Sequence, residues 1–294
     1  MPELPDVTVY IEHLKVRLAG KRLERVRLLN PFLLRSVEHP IARAEGKKVE
    51  GVRRMGKRVV IELEGGLFLV LHLMIAGRLR WLEQGAKLPG RISLAAFEFH
   101  NGMLVFTEAG TKRRASLHLV EGEAALTAMD PGGLEVLEAG FEAFAVRLKR
   151  ENHTLKRALT DPRLFSGIGN AYSDEILHRA KLSPFAQSAS LADEDARRLF
   201  EAARLTLAEW IERLREEAGA DFPAKVTAFR EGMAVHGRYR KPCPACGSPV
   251  QRIVYAENET NYCARCQTGG RVLADRALSR LLKASWPRSI DELE

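Results

Sequence analysis

The sequence predicts an α+β chain of more than one domain: an antiparallel β-domain led by one helix, a helical domain, and a small cysteine module. Three observations carry this. Strand-period apolar runs and turn residues dominate the first ~120 residues. Helical periods follow the break at Asp130-Pro131-Gly132-Gly133, and the four cysteines of the chain stand in two C-x2-C pairs close to its end. At 294 residues the chain fits about two domains of the usual ~100–200 residues.

Val7, Tyr10, Ile11, Leu14 and Leu18 recur at helical spacing after Met1-Pro2-Glu3-Leu4-Pro5, and Gly20 ends the run. Val59, Ile61 and Leu63 alternate with their neighbours, Gly65-Gly66 reads as a tight turn, and 67–73 returns as a buried strand. A second hairpin reads as 94–99, Asn101-Gly102 and 103–106. Asn-Gly suits the turn whose two central residues both take positive φ. The N-terminal part is therefore a sandwich or a barrel. Past residue 133, 152–161 and 170–181 read as short helices around Pro162, Gly167 and Gly169. A longer amphipathic helix over 191–216 puts Leu199, Ala203, Leu207, Trp210, Ile211 and Leu214 on one face. Pro242 opens the cysteine module.

Hydrophobic residues are 46% and charged residues 29% of the chain, which excludes a disordered polyampholyte. The net charge of +8 favours a polyanionic partner, because neutralised phosphates release counterions. Ribosome-associated proteins and many unrelated enzymes share that bias. No basic segment followed by an apolar core and small-residue cleavage site opens the chain. The longest apolar stretch, 66–77, contains His72 and falls short of the ~20 residues a bilayer requires. These features predict a soluble cytoplasmic protein with no membrane partner. In a reducing compartment, paired cysteines point to metal rather than disulfides.

Cys243-x2-Cys246 and Cys263-x2-Cys266 are spaced as two zinc knuckles. Four thiolates fill a tetrahedron and leave no open position, so one structural Zn2+ is expected. Gly167-Ile168-Gly169-Asn170 stands just ahead of a helix, where free N–H groups form an anion site and Asn170 can cap. Taken alone, the tetrapeptide reads first as a turn between helices. The third signal is Met1-Pro2. Removal of methionine leaves a secondary amine on Pro2, able to condense with an aldehyde or anomeric carbon, with Glu3 beside it to shuttle protons. Taken alone, this segment reads as an exposed tail.

Met1-Pro2-Glu3-Leu4-Pro5, Gly56-Lys57-Arg58, His72-Leu73, Thr154-Leu155-Lys156-Arg157-Ala158-Leu159, Gly167-Ile168-Gly169-Asn170-Ala171-Tyr172-Ser173-Asp174-Glu175 and the four cysteines closed by Gln267 occur in that order. In this the chain closely resembles the formamidopyrimidine-DNA glycosylase/endonuclease VIII family, over residues 1 to 267. The resemblance implies a β-sandwich over 1–125, a helix-two-turns-helix domain over 126–235, a zinc ribbon over 236–268 and a helical extension over 269–294. It implies a monomeric base-excision-repair DNA glycosylase and abasic-site lyase that needs no small-molecule cofactor and acts on damaged DNA, with the target base flipped out. Pro2 would be the Schiff-base nucleophile, Glu3 the acid/base residue, and Lys57 the phosphate-holding residue beside the reacting sugar. Asn170, Lys156, Lys112, Arg113 and Arg114 would contact DNA. The chemistry would end in β- and δ-elimination.

The chain departs from the family at several places. Asn258 stands where an arginine usually grips the lesion phosphates, flanked by Glu257 and Glu259. Glu108-Ala109-Gly110-Thr111-Lys112-Arg113-Arg114 replaces the usual Asp-Pro-Arg-Arg-Phe, so the aromatic wedge is gone. Met74 and Ile75 share the void-filling position, with the frame favouring Ile75, and Asp6 replaces a common glutamate. Together these suggest altered substrate choice, or a catalytically silent protein that recognises distorted or non-duplex DNA. Intact Pro2, Glu3 and Lys57 favour the enzyme. A zinc-ribbon module serving ribosomes or polymerases leaves the N-terminal pentapeptide unexplained. Residues 274–284 read as a helix with Leu278, Leu281 and Leu282 on one side, docked on the protein rather than reaching for DNA.

Overall fold

The computed structural model describes residues 1–110, 112–223, 226, 227, 229–255, 258–274 and 287–292, with Asn258 described by its backbone alone. The expected helix over 274–284 lies almost wholly outside the described residues. The chain divides into two compact units, one formed by Met1–Pro131 and Trp210–Thr227, the other by Gly132–Glu209 and Ala228–Glu294.

The first unit opens with α1 (Leu4–Leu18) and continues through β1 (Arg25–Leu28), β2 (Val49–Met55), β3 (Arg58–Leu63), β4 (Leu67–His72), β5 (Gly77–Leu82), β6 (Ser93–Phe99), β7 (Gly102–Glu108), β8 (Ser116–Glu121) and α2 (Glu123–Thr127). Two four-stranded antiparallel sheets form, ordered β1-β6-β7-β5 and β2-β3-β4-β8. Val59, Ile61 and Leu63 of one sheet share a core with Phe97, Leu104 and Phe106 of the other and with Tyr10 and Leu14 of α1. Two sheets enclosing one core make a sandwich. The intervening residues Val60, Phe68 and Val70 are also buried, under Leu126 of α2, which is why β3 and β4 read as almost continuously apolar.

The second hairpin differs from expectation at its tip. Phe99 pairs with Gly102, so the turn residues are His100 and Asn101, and neither takes positive φ. Gly102 serves a different purpose. A Cβ there would lie 2.5 Å from Cζ2 of Trp81, so the glycine admits the indole of β5 against the hairpin.

The second unit contains α3 (Phe141–Lys149), α4 (Leu155–Thr160), α5 (Asn170–Arg179) and the longer helix α6 (Asp193–Ala218), whose last residues belong to the first unit. Thr154 caps α4 by accepting the N–H of Arg157. Phe144, Phe165 and Phe200 form the aromatic centre, with ring centroids 4.8 Å and 5.2 Å from that of Phe144. A two-stranded antiparallel hairpin, β9 (Gln251–Tyr255) and β10 (Asn258–Tyr262), precedes the short helix α7 (Ala264–Thr268). No helix among the described residues is long and apolar enough to cross a membrane.

Candidate catalytic and metal sites

The start of the chain is buried within the first unit. Pro2 is buried and Glu3 is 2% exposed. Glu3 is the N-cap of α1, where a capping box forms and its own N–H donates to Oδ2 of Asp6 at 2.9 Å. Aspartate at position 6 therefore has a structural role: it is long enough to close this box. Burial lowers the pKa of the terminal amine on Met1; Glu3 and Asp6 oppose the shift, while Arg78 and Lys57 add to it. The first turn of α1, the Gly56-Lys57 turn and β5 thus bring Glu3, Asp6, Lys57 and Arg78 into one electrostatic neighbourhood.

Gly56, at φ 60°, makes the tight turn between β2 and β3 and puts Lys57 at its tip. Next to it, Arg58 on β3 pairs in register with His72 on β4. Burial pushes the His72 pKa down to about 4, helped by Arg58, Lys57 and His118, so the ring is neutral at physiological pH. Sequence reasoning missed Arg78. Its guanidinium donates to the carbonyls of Val226 and Gly77, and no local spacing in the sequence marks such a partner.

Lys112, Arg113 and Arg114 are exposed. Their loop is held by a residue the sequence did not single out: Glu108, 1% exposed, accepts the N–H groups of Arg114 at 3.0 Å and of Ala115. Arg113 donates to the carbonyl of Arg91 at 2.8 Å. Ile75 is 52% exposed in the turn after β4, beside Met74, which takes φ 52°.

In the second unit, Asn170 and Lys156 meet but do not both face outward. Gly169, not Asn170, is the N-cap of α5, and Asn170 Nδ2 donates to the carbonyl of Glu259 in β10 at 2.9 Å. Lys156 is 5% exposed, and its Nζ donates to the Asn170 carbonyl at 2.7 Å and to Oδ1 of Asp174 at 2.6 Å. This ammonium is turned inward on two protein acceptors, whereas the resemblance implies a contact with DNA for Lys156. The other carboxylate oxygen of Asp174 lies 2.8 Å from Nδ1 of His236. The neighbouring Glu175 accepts the N–H groups of Ala234, Val235 and His236. Burial raises the pKa of Glu175, and these three N–H groups oppose the rise.

The sulfurs of Cys243, Cys246, Cys263 and Cys266 all lie within 4.8 Å of one another. Sγ atoms of Cys243 and Cys266 are 3.9 Å apart, and those of Cys246 and Cys263 are 3.4 Å apart. Tetrahedral zinc with bonds of about 2.3 Å needs sulfurs roughly 3.8 Å apart, so the cluster fits the ion. His178 of α5 places Nε2 3.2 Å from Sγ of Cys243. Gln267 links the module outward, accepting the Cys263 N–H at 2.8 Å and donating to the Leu182 carbonyl at 2.9 Å. Arg252, the arginine on β9, lies 3.5 Å from Glu259 and over the ring of Tyr239. The side chain of Asn258, which stands where the family's arginine is expected, lies outside the described residues.

Three family models match in series: the formamidopyrimidine-DNA glycosylase N-terminal domain over residues 1–115, its H2TH domain over 133–219, and the zinc finger found in FPG and IleRS over 240–269. With that match, the four cysteines are a structural zinc site. The chain is 37% identical to the formamidopyrimidine-DNA glycosylase of Thermus thermophilus, covering 92% of this chain and all of the relative. The solved MutM (Fpg) protein of Thermus thermophilus superposes with a TM-score of 0.76 at 35% identity, over 90% of this chain and 98% of that one. A Lactococcus lactis Fpg, solved with DNA containing an abasic site, shares the fold at a TM-score of 0.80 and 22% identity, over 90% and 99% of the two chains. The sandwich, the helix-two-turns-helix unit and the four-cysteine ribbon, matched over nearly the whole length of these relatives, place the chain in the formamidopyrimidine-DNA glycosylase family of DNA-repair enzymes.

Proposed function

We propose that this protein is a bifunctional DNA glycosylase and abasic-site lyase that uses the nitrogen of Pro2, once Met1 is removed, as its nucleophile. The observation that supports this best is the buried chain start: Pro2 and Glu3 are both buried, and the amine just ahead of them feels the charges of Glu3, Arg78, Asp6 and Lys57. An exposed tail would have neither the burial nor the neighbours. At the Met1 amine, burial, Arg78 and Lys57 favour the neutral form against the opposing pull of Glu3 and Asp6. With Met1 removed, the buried Pro2 nitrogen takes over the chain start, and its neutral form carries the attacking lone pair.

The reaction follows from that arrangement. The Pro2 nitrogen attacks C1′ of the damaged nucleoside, and the base leaves with the glycosidic electron pair and takes up a proton. The nitrogen loses its proton, Glu3 gives one to the sugar ring oxygen, and the ring opens to an iminium. That cation acidifies the C2′ proton, whose loss expels the 3′ phosphate. A second elimination expels the 5′ phosphate, and water releases the sugar remnant from Pro2. Lys57, at the tip of its turn, balances phosphate charge near this centre. Lys112, Arg113 and Arg114 hold the backbone electrostatically. Asn170 holds phosphate at the start of α5, and Lys156 is a positioning residue that fixes its carbonyl.

Borohydride reduction of the purified, Met1-trimmed protein on an oligonucleotide with an abasic site tests the reading. The expected result is a covalent adduct whose linked peptide carries the sugar on Pro2. Absence of any adduct, with DNA binding retained, would move the assignment to a silent DNA-binding protein.

A further inference from the structure

The zinc site has a polar neighbour that belongs to neither knuckle. His178, on α5, is buried at 9% exposure, and its Nε2 lies 3.2 Å from Sγ of Cys243, itself 2% exposed. A zinc-bound thiolate carries only lone pairs, so the contact is stabilising only when the ring proton sits on Nε2 and points at sulfur. Four thiolates around one Zn2+ leave a net charge of −2 in this partly buried site. Each N–H directed at sulfur withdraws charge from it, which makes that thiolate a poorer target for protons and for competing metals.

Other links join the same helix to the ribbon. The Gln267 side chain bridges the Cys263 N–H and the carbonyl of Leu182, just beyond the C-terminal end of α5. At the opposite end of α5, Asn170 donates to the Glu259 carbonyl of β10. The helix is therefore tied to the ribbon at both ends, and His178 is the tie that lies against a ligand sulfur.

We infer that His178 is an outer-shell residue of the zinc site: it donates Nε2–H to Cys243, retains the metal and couples α5 to the loaded ribbon. His178 touches no reacting atom, so its role is one of positioning. Replacement of the donor by a ring of similar shape, His178→Phe, is expected to speed zinc release to excess chelating dye by about tenfold or more. In the cobalt-substituted protein the same change is expected to shift the sulfur-to-metal charge-transfer band. His178→Gln, which retains an N–H, is expected to recover part of both effects. Wild-type release kinetics together with an unchanged cobalt spectrum in His178→Phe would overturn the inference. The ring nitrogens of the unsubstituted zinc-loaded protein give an independent check by NMR. The Nε2–H tautomer is expected, and a proton on Nδ1 alone would overturn the assignment even if neither variant folds.

Discussion

Nζ of Lys156 lies 2.6 Å from Oδ1 of Asp174, with the two side chains 6% and 0% exposed. Oδ2 of the same aspartate is 2.8 Å from His236. This is a buried ion pair with its remaining polar atoms occupied, the arrangement in which charges can be kept out of water. Removing one member strands the other. Asp174→Ala is expected to cost about 3–5 kcal/mol in denaturant unfolding, and a loss under about 1 kcal/mol would show that Lys156 escapes to solvent.

The same geometry makes a prediction about DNA. A lysine that neutralises a phosphate contributes roughly one unit to the slope of log affinity against log salt. Lys156→Gln is expected to leave that slope unchanged, whereas Arg113→Gln lowers it. Binding isotherms on one abasic duplex at several salt concentrations separate the two. A slope reduced in Lys156→Gln would mean that the ammonium swings out on binding.

At the chain start, Pro2→Gly and Glu3→Gln are each expected to remove strand cleavage and leave duplex affinity within about threefold, because neither is a phosphate contact. Gel assays of cleavage beside anisotropy of binding read both properties. Full cleavage by either variant contradicts its proposed role.

His72 gives the pH dependence. Burial holds its pKa at about 4, below the ordinary 6.5. Between those values the unfolded chain binds a proton that the folded chain refuses, so stability is lost as the pH falls from 6.5 toward 4. His72→Gln is expected to flatten the fall in urea midpoint over that interval. An equally steep fall in the variant would assign the loss to other groups, among them His118, also depressed by burial and acting on His72.

The ribbon depends on its metal. Cys263→Ser is expected to lose zinc and with it the folded hairpin of β9 and β10, since structural zinc supplies folding free energy. DNA affinity falls with it. A zinc-free variant that keeps native ribbon amide shifts would refute this dependence.

Several features were legible in the sequence because they are local. Two C-x2-C pairs fix four sulfurs on knuckles whose geometry is set by the adjacent backbone. The helical period of Val7 to Leu18 defines a buried face of α1. The alternation at Val59, Ile61 and Leu63 gives a strand and its inner side. Asn101-Gly102 marked a real hairpin, yet the role of its glycine was set by Trp81, a residue on another strand.

What only the tertiary structure decided involves partners far apart in the chain. The sequence supplies Lys156, Asp174 and His236 as three ordinary polar residues, and packing turns them into one sealed network. It supplies Glu108 at the end of a strand, and folding makes it the acceptor that shapes the basic segment beside it. It supplies His178 on a helix face, and only the approach of the ribbon gives its Nε2 a sulfur. Periodicity and spacing report the bonds a segment makes with itself and the face it must bury. The partner of a buried charge is set by burial itself: desolvation compels each such group to find an opposite charge or hydrogen bond wherever the fold brings one.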